Sequence, residues 1–212
     1  MKTALVVGAT GLVGSNLVNQ LNDSKFYSKI ILLVRRKSEL NHLKIEEKII
    51  DFDNIDASII KGDDIFCAIG TTIKKAGSKE NQYKIDCEYP FKIAQIAKRN
   101  NVKQFILVSS LGADAKSSNF YLKTKGDLEE KISDLNFETF IIIRPSLILG
   151  DRKEFRLGEK IGVVLFKLLS PLFIGGLKKY KGVKASSIAK TMIKLANENL
   201  TGKVIVESDK IS

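Results

Sequence analysis

Short runs of apolar residues recur along the chain at 4–7, 30–34, 65–69, 105–108, 139–143 and 204–206. They are rich in Ile and Val and lack sustained apolar/polar alternation, the pattern of strands buried on both faces of a parallel sheet. Lys48-Ile49-Ile50 reads as a further strand, third in chain order. Segments with helical spacing lie between several of these runs. In 14–21, Leu17 and Leu21 fall one turn apart, and 90–98 repeats Ile93, Ala94, Ile96 and Ala97. In 126–135, Leu128, Ile132 and Leu135 share one face. Strand alternating with helix predicts an α/β fold. The sheet is expected to be doubly wound and mostly parallel, with helices on both faces and right-handed crossovers.

The stretch 158–177 departs from this pattern. Its strongly apolar part, 161–174, is interrupted by Lys167, Ser170 and Pro171 and is shorter than the roughly 20 residues that span a membrane. It reads as a core helix or as a small C-terminal cap over the substrate, within 150–182. Peripheral membrane contact is the alternative, and no transmembrane segment is expected. At 212 residues the whole chain, 1–212, is expected to form one domain with its own core.

Composition narrows the function classes. Cys67 and Cys87 have neither a disulfide framework nor zinc-ligand spacing, and Cys67, inside an apolar run, reads as a buried thiol. Met1-Lys2-Thr3 leads directly into a strand pattern with no secretory leader, so a cytoplasmic location is expected. The net charge of +11 comes from lysines scattered over surface-type positions, with only short runs such as Lys178-Lys179-Tyr180-Lys181. Specific nucleic-acid binding is therefore not expected. The single histidine, His42, stands in a polar stretch and reads as a surface residue. That leaves too few ligands for a Ser/His/Asp hydrolase or a metal site. No feature of the sequence specifies an oligomeric state.

The most specific local signal follows the first strand. Gly8-Ala9-Thr10-Gly11-Leu12-Val13-Gly14 joins a buried strand to a helix start through a G-x-x-G-x-x-G turn. Gly8 suits the tight turn, Gly11 lets backbone approach a pyrophosphate, and Gly14 permits close helix packing. Backbone N–H groups at the helix start would then bind the phosphates. This is the dinucleotide arrangement of the Rossmann type. Sites selective for NAD place an acid about 20 residues beyond the glycines; here Arg35 and Arg36 stand at the end of the second strand. Two guanidinium groups suit a 2′-phosphate, so NADP is expected over NAD. Asp51 and Phe52 after the third strand would flank the adenine, and Ile69, Gly70, Thr71 and Thr72 would line the cofactor at the end of the fourth. Both lie beyond strand carboxyl ends, where ligands bind in such sheets.

Candidate chemistry follows the fifth strand. Ser109 and Ser110 come first, then Tyr121 and Lys125, whose spacing of four puts them on one helix face. A nearby ammonium favours tyrosinate and brings the phenol into range for proton transfer. Lys125 could also hold the nicotinamide ribose, and a serine hydroxyl could polarise a substrate carbonyl. A second Tyr-x-x-x-Lys occurs at Tyr180 and Lys184. What favours Tyr121 is its place after the serine-bearing strand and beside an amphipathic helix.

Several of these motifs together resemble the atypical short-chain dehydrogenase/reductases, and in particular their Tat-interacting-protein-like NAD(P)H-binding branch, also grouped with NmrA-like proteins. The resemblance rests on the glycine turn, Cys67-Ala68-Ile69-Gly70-Thr71-Thr72, Lys75-Ala76-Gly77, Ser109-Ser110-Leu111-Gly112-Ala113-Asp114, Ser117-Ser118-Asn119-Phe120-Tyr121, and Arg144-Pro145 followed by Asp151-Arg152. It runs from the first strand to about Ala196. It implies NADPH binding, Tyr121 as proton donor or acceptor with Lys125 beside it, and Ser109 or Ser110 as hydroxyl partner. It also places Ile148 and Arg156 towards the cofactor. The serines stand closer to Tyr121 than in ordinary short-chain dehydrogenases, and no fourth catalytic asparagine is evident. The expected function is NADPH-dependent reduction of a carbonyl or similar group on a small organic substrate. The alternative is a non-catalytic NADPH sensor, since the resemblance includes proteins that use NADPH for regulation.

Overall fold

The computed structural model describes residues 1–38, 42–150 and 180–212. Seven parallel strands form its main sheet: β1 (Lys2–Val7), β2 (Tyr27–Val34), β3 (Ile45–Ile49), β4 (Asp64–Cys67), β5 (Gln104–Val108), β6 (Thr139–Arg144) and β9 (Gly202–Glu207). Their spatial order is β3-β2-β1-β4-β5-β6-β9. The strand order reverses between β1 and β4, which opens a crevice at their carboxyl ends, the usual ligand position in such sheets. A short parallel pair, β7 (Ile148–Leu149) with β8 (Val183–Lys184), lies beside the main sheet order. The apolar stretch 161–174, Arg156 and most of the expected 150–182 cap lie outside the described residues.

Successive side chains of a strand alternate between the two faces of the sheet, and here both faces are covered. On one, Ala4 and Val6 of β1, Ile30 and Leu32 of β2 and Ile141 of β6 join Leu17, Val18 and Leu21 of α1 (Leu12–Asp23). The same cluster takes in Ile188, Ala189 and Met192 of α6 (Ala185–Leu195). On the other face, Leu5, Val7, Leu33, Ile65, Phe105 and Ile142 join Ile93 and Ala97 of α4 (Tyr89–Arg99). Leu128 and Ile132 of α5 (Phe120–Ser133) complete that layer. Each Val, Leu, Ile, Phe or Met side chain among them, fully removed from water, contributes roughly 1.5–3 kcal/mol. This two-sided burial explains why the strands read as continuous apolar runs.

Three differences from the sequence reading have local causes. β3 begins at Ile45 and not at Lys48, because the edge strand pairs with β2 from Ile30 onward while carrying Glu46, Glu47 and Lys48. β4 ends at Cys67, and Ala68 and Ile69 instead turn against the glycine turn. α5 starts at Phe120, where the Asn119 carboxamide oxygen accepts from the Leu122 N–H at 3.1 Å. Tyr121 and Lys125 therefore belong to the same helix as the apolar face that follows them.

The amino-terminal ends of the strands are clamped by a buried polar cluster. Asp64 accepts from Tyr27 Oη at 2.5 Å, Lys2 Nζ at 3.0 Å and Gln104 Nε2 at 2.9 Å. Lys2 and Gln104 also donate to the Ala196 carbonyl just after α6, at 2.7 and 2.9 Å. Burial, followed by the Asp64 charge, raises the Tyr27 phenol above its ordinary range. This end of the sheet holds the C-terminal helix in place, and the crevice at the other end is left for a ligand.

Candidate functional site

The glycine turn is shaped by contact with β4. Gly8 has a φ of +85°, and a Cβ there would lie 2.7 Å from the Ala68 carbonyl and from Ile69 N. Only glycine reconciles that conformation with that approach. A Cβ on Gly14 would sit 2.0 Å from the Gly8 carbonyl oxygen, so Gly14 lets α1 start directly on the turn. Gly11 differs, since its Cβ would meet only Gly8 O at 3.3 Å and Ala68 O at 4.0 Å. Ala9 and Val13 are buried with Gly14 and serve the packing, whereas Thr10 and Gly11 are exposed. No side chain caps α1, and no acid occupies its first turn. Among the described residues its leading N–H groups thus have no capping side chain at the positive end of the helix dipole, the arrangement that receives phosphate. Gly150, just past Ile148 and Leu149, lies 3.0 Å from Leu12 by its projected Cβ, which brings the end of β7 beside the turn.

A cleft of about 550 Å³ adjoins the ends of β2 and β3. Arg35, Ile49, Ile50, Asp51, Phe52, Asp53, Ile85 and Tyr89 line it. Phe52 and Tyr89 pack with ring centroids 5.2 Å apart. Asp53 binds Lys84 at 2.7 Å and Tyr89 Oη at 3.1 Å, and Lys84 chiefly holds its carboxyl below the usual range. Three predicted residues, Arg35, Asp51 and Phe52, thus meet in one cleft. Arg36 is exposed at the same strand end and does not line it.

The loop after β4 is held by residues the sequence reading missed. The Thr71 N–H donates to Asp86 Oδ1 at 2.7 Å, and Gln82 Nε2 donates to the Thr71 carbonyl at 3.3 Å. Gln82 lies on α3 (Lys79–Tyr83) and Asp86 on the π-helical turn Lys84–Glu88 that follows it. Thr72 caps α2 (Ile73–Ala76), accepting from the Lys75 N–H at 3.2 Å. Asp86 is wholly buried, and its other oxygen, Oδ2, lies 4.0 Å from Lys125 Nζ. A Cβ on Gly70 would fall 3.8 Å from that nitrogen and 3.9 Å from Asp86 Oδ2. Asp86, Lys125 and the 70–72 loop therefore form one contiguous group. π-Turns recur at functional sites, but a single polar stretch such as 79–89 carries no periodic signal for one.

Lys125 is only 3% exposed. Burial alone would pull its pKa down, but Asp86 and then Tyr121 outweigh it and hold the ammonium above its ordinary range. Tyr121 is half-buried one turn earlier. The other Tyr-x-x-x-Lys pair has no such setting: Tyr180 is 43% exposed, and Lys184 lies on β8, so helix geometry does not bring the two onto one face.

The two serines have different surroundings. Ser109 is buried, and its hydroxyl donates to Glu129 Oε1. Glu129 also accepts from Arg144, Nε to Oε1 at 3.0 Å and Nη2 to Oε2 at 2.5 Å. Ser110 is half-buried, with a single long contact of 3.3 Å to the Leu111 carbonyl. The short spacing from serine to tyrosine is made possible at Gly126, where a Cβ would stand 2.1 Å from Ala115 N. The chain between strand and helix thus crosses directly over α5. Glu129 escaped sequence reasoning because a glutamate on a charged helix looks like a surface residue, and Arg144 entered only as part of a family motif.

The residues present fit a nicotinamide dinucleotide. An uncapped helix N-terminus meets exposed backbone at Thr10 and Gly11, and an aromatic-lined cleft opens beside Arg35. Beside the 70–72 loop, Gln82 Oε1 is buried with no hydrogen-bond partner among the described residues. Among the described residues no cluster of His, Cys, Asp and Glu suits a metal, and no helix is long and apolar enough to cross a membrane.

Residues 8–165 match the family described as NAD(P)H-binding. The chain is 35% identical over 181 residues to protein HTATIP2 of Rattus norvegicus, covering 82% of this chain and 74% of that one. It is also 35% identical over 210 residues to the mitochondrial protein FMP52 of Candida albicans, covering 95% and 91%. Its fold superposes on the Bordetella bronchiseptica enzyme WbmH in complex with NAD+. The TM-score is 0.70 at 16% identity, over 98% of this chain and 76% of that one. MoeE5 in complex with UDP-glucose and NAD gives 0.72 at 13% identity, over 99% and 79%. These distant structures establish the fold, and the cofactor class shared with the family is a nicotinamide dinucleotide.

The expected cytoplasmic location is overturned by the fungal relatives, which are named as mitochondrial proteins. A strand pattern close to Met1, on which that expectation rested, carries no information about organelles. The chain itself belongs to the NAD(P)H-binding family, as an atypical short-chain dehydrogenase/reductase of the group that includes HTATIP2 and FMP52.

Proposed function

We propose that this protein is an NADPH-dependent oxidoreductase that reduces a carbonyl, or a similar group, on a small organic substrate. The observation that carries the reading is the burial of Lys125 one helical turn from Tyr121, paired with Asp86 beside the loop after β4. Withdrawing an ammonium and a carboxylate from water costs several kcal/mol per ion, and an apolar pair of similar volume would serve the fold as well or better. A pair kept at that cost beside a tyrosine and a cofactor loop is best explained by chemistry. The preference for NADPH rests on Arg35, whose guanidinium lines the cleft expected to take the adenosine end and suits a 2′-phosphate.

When bound, a reduced nicotinamide would supply a hydride to the carbonyl carbon. The Tyr121 hydroxyl gives its proton to the carbonyl oxygen, so that C=O becomes CH–OH, and the Lys125 ammonium stabilises the phenolate left behind. Lys125 would also hold the nicotinamide ribose. Ser110 orients the carbonyl, while Ser109, committed to Glu129, supports the strand end. The glycine turn and the start of α1 would bind the pyrophosphate. Ile148 would approach the cofactor from the β7 side, where Gly150 lies against Leu12.

The test is Tyr121→Phe, assayed for NADPH binding and for NADPH oxidation against a panel of aldehydes and ketones. Unchanged binding with turnover reduced at least a hundredfold is expected. No carbonyl-dependent oxidation by the wild type, together with partner binding that responds to NADPH, would establish the sensor reading instead.

A further inference from the structure

We propose that Asp86 is a positioning residue that holds Lys125 and the 70–72 loop together as one unit. The inference rests on the reading above, in which Lys125 touches the cofactor. Asp86 is wholly buried on the π-helical turn. Oδ1 takes the Thr71 N–H at 2.7 Å, and Oδ2 faces the Lys125 ammonium at 4.0 Å. Gln82, from the preceding turn, secures the carbonyl of the same Thr71 residue. Gly70 leaves the space over Lys125 Nζ and Asp86 Oδ2 clear, with its projected Cβ 3.8 and 3.9 Å from them. One carboxylate thereby sets the height of the loop with one oxygen and the place of the ammonium with the other. A change at either place is felt at the other.

The arrangement has a consequence in pH. The groups acting on Lys125 are Asp86 and Cys87 from the π-helical turn, Cys67 from β4 and Tyr121 from its own helix. Asp86 is the strongest of those that favour the ammonium, and burial opposes them all. Without the carboxylate charge the strongest opposition to burial is gone, and Lys125 loses its proton at a lower pH. Asp86→Asn is the informative change, because its amide oxygen can still accept from Thr71 while the charge is removed.

The experiment is NADPH titration by fluorescence from pH 6 to pH 9.5, on the wild type, Asp86→Asn, Lys125→Met and the double variant, with thermal unfolding of each. The wild type should hold its affinity across the range. Asp86→Asn should bind within about threefold of wild type at pH 6 and lose at least tenfold more by pH 9.5, while Lys125→Met is weak throughout. Asp86→Asn should also melt below wild type, and the double variant should recover most of that loss, since it leaves no unpaired buried ion. If Asp86→Asn does not fold alone, recovery of a folded double variant carries the same conclusion. Affinity of Asp86→Asn that tracks wild type at every pH, or a double variant whose loss is the sum of the singles, overturns the inference. Should Lys125→Met bind NADPH like wild type, the cofactor role of Lys125 fails, and the thermal cycle still decides whether Asp86 holds Lys125.

Discussion

The Ser109 hydroxyl donates to Glu129, both of whose carboxylate oxygens also accept from Arg144. This contact separates two serines that are equivalent by position alone. Ser109 has a buried structural partner, whereas the half-buried Ser110 hydroxyl makes one long contact of 3.3 Å to the Leu111 carbonyl. Ser109→Ala should lower stability by about 1–2 kcal/mol, visible in thermal melts. Ser110→Ala should leave the melt unchanged and reduce carbonyl-dependent NADPH oxidation at least tenfold. The reverse pattern would exchange the two roles.

Arg144→Met leaves the Glu129 carboxylate buried with Ser109 and without its cation. Removing one partner of a buried ion pair costs about 3–5 kcal/mol, and Arg144, with 20% of its side chain exposed, belongs at the lower end. Urea unfolding should show a loss of about 3 kcal/mol. Combining it with Glu129→Gln, which removes the stranded charge, should restore part of that loss.

The glycines of the turn are not interchangeable. Gly14→Ala forces a Cβ to 2.0 Å from a backbone oxygen that cannot move aside, and soluble folded protein is not expected. Gly11→Ala meets backbone only at 3.3 Å, so its circular dichroism and melt should stay near wild type. Its NADPH affinity should fall at least tenfold, because the methyl group occupies the approach of the pyrophosphate.

Much of this site was legible because its signals are local. The glycine spacing, the Tyr121/Lys125 interval and Arg35 at a strand end each fall within one turn or one loop. Asp86 and Glu129 were not legible, since their partners lie far away in the chain: Lys125 for Asp86, and Ser109 and Arg144 for Glu129. Each is an acid in a polar stretch until the fold buries it. β3 was placed late for a related reason, as an edge strand with Glu46, Glu47 and Lys48 dilutes its apolar signal. α6 was passed over altogether, although Ile188, Ala189 and Met192 give it a buried face.

Burial pushes the Cys67 thiol up from 9.0 to about 11. A thiol that ionises more readily in the unfolded chain contributes stability in full below pH 9, and that contribution is lost as pH rises towards 11. Wild-type stability should therefore decline between pH 9 and pH 11, and Cys67→Ala should flatten that limb in denaturant titrations. Cys87 is buried as well, so neither thiol should react with a disulfide reagent at pH 8 until the protein unfolds. A thiol that titrates rapidly in the native state would contradict this.

The central claim is that the crevice beyond β1, β2 and β4 binds NADPH through the glycine turn and Arg35. Calorimetric titration with NADPH and NADH, on the wild type and on Arg35→Ala, tests it most directly. The expected result is NADPH binding at least tenfold tighter than NADH, with that difference lost in Arg35→Ala while NADH binding is unchanged. Equal affinity for both nucleotides, or NADPH selectivity that survives Arg35→Ala, would contradict the assignment of the phosphate.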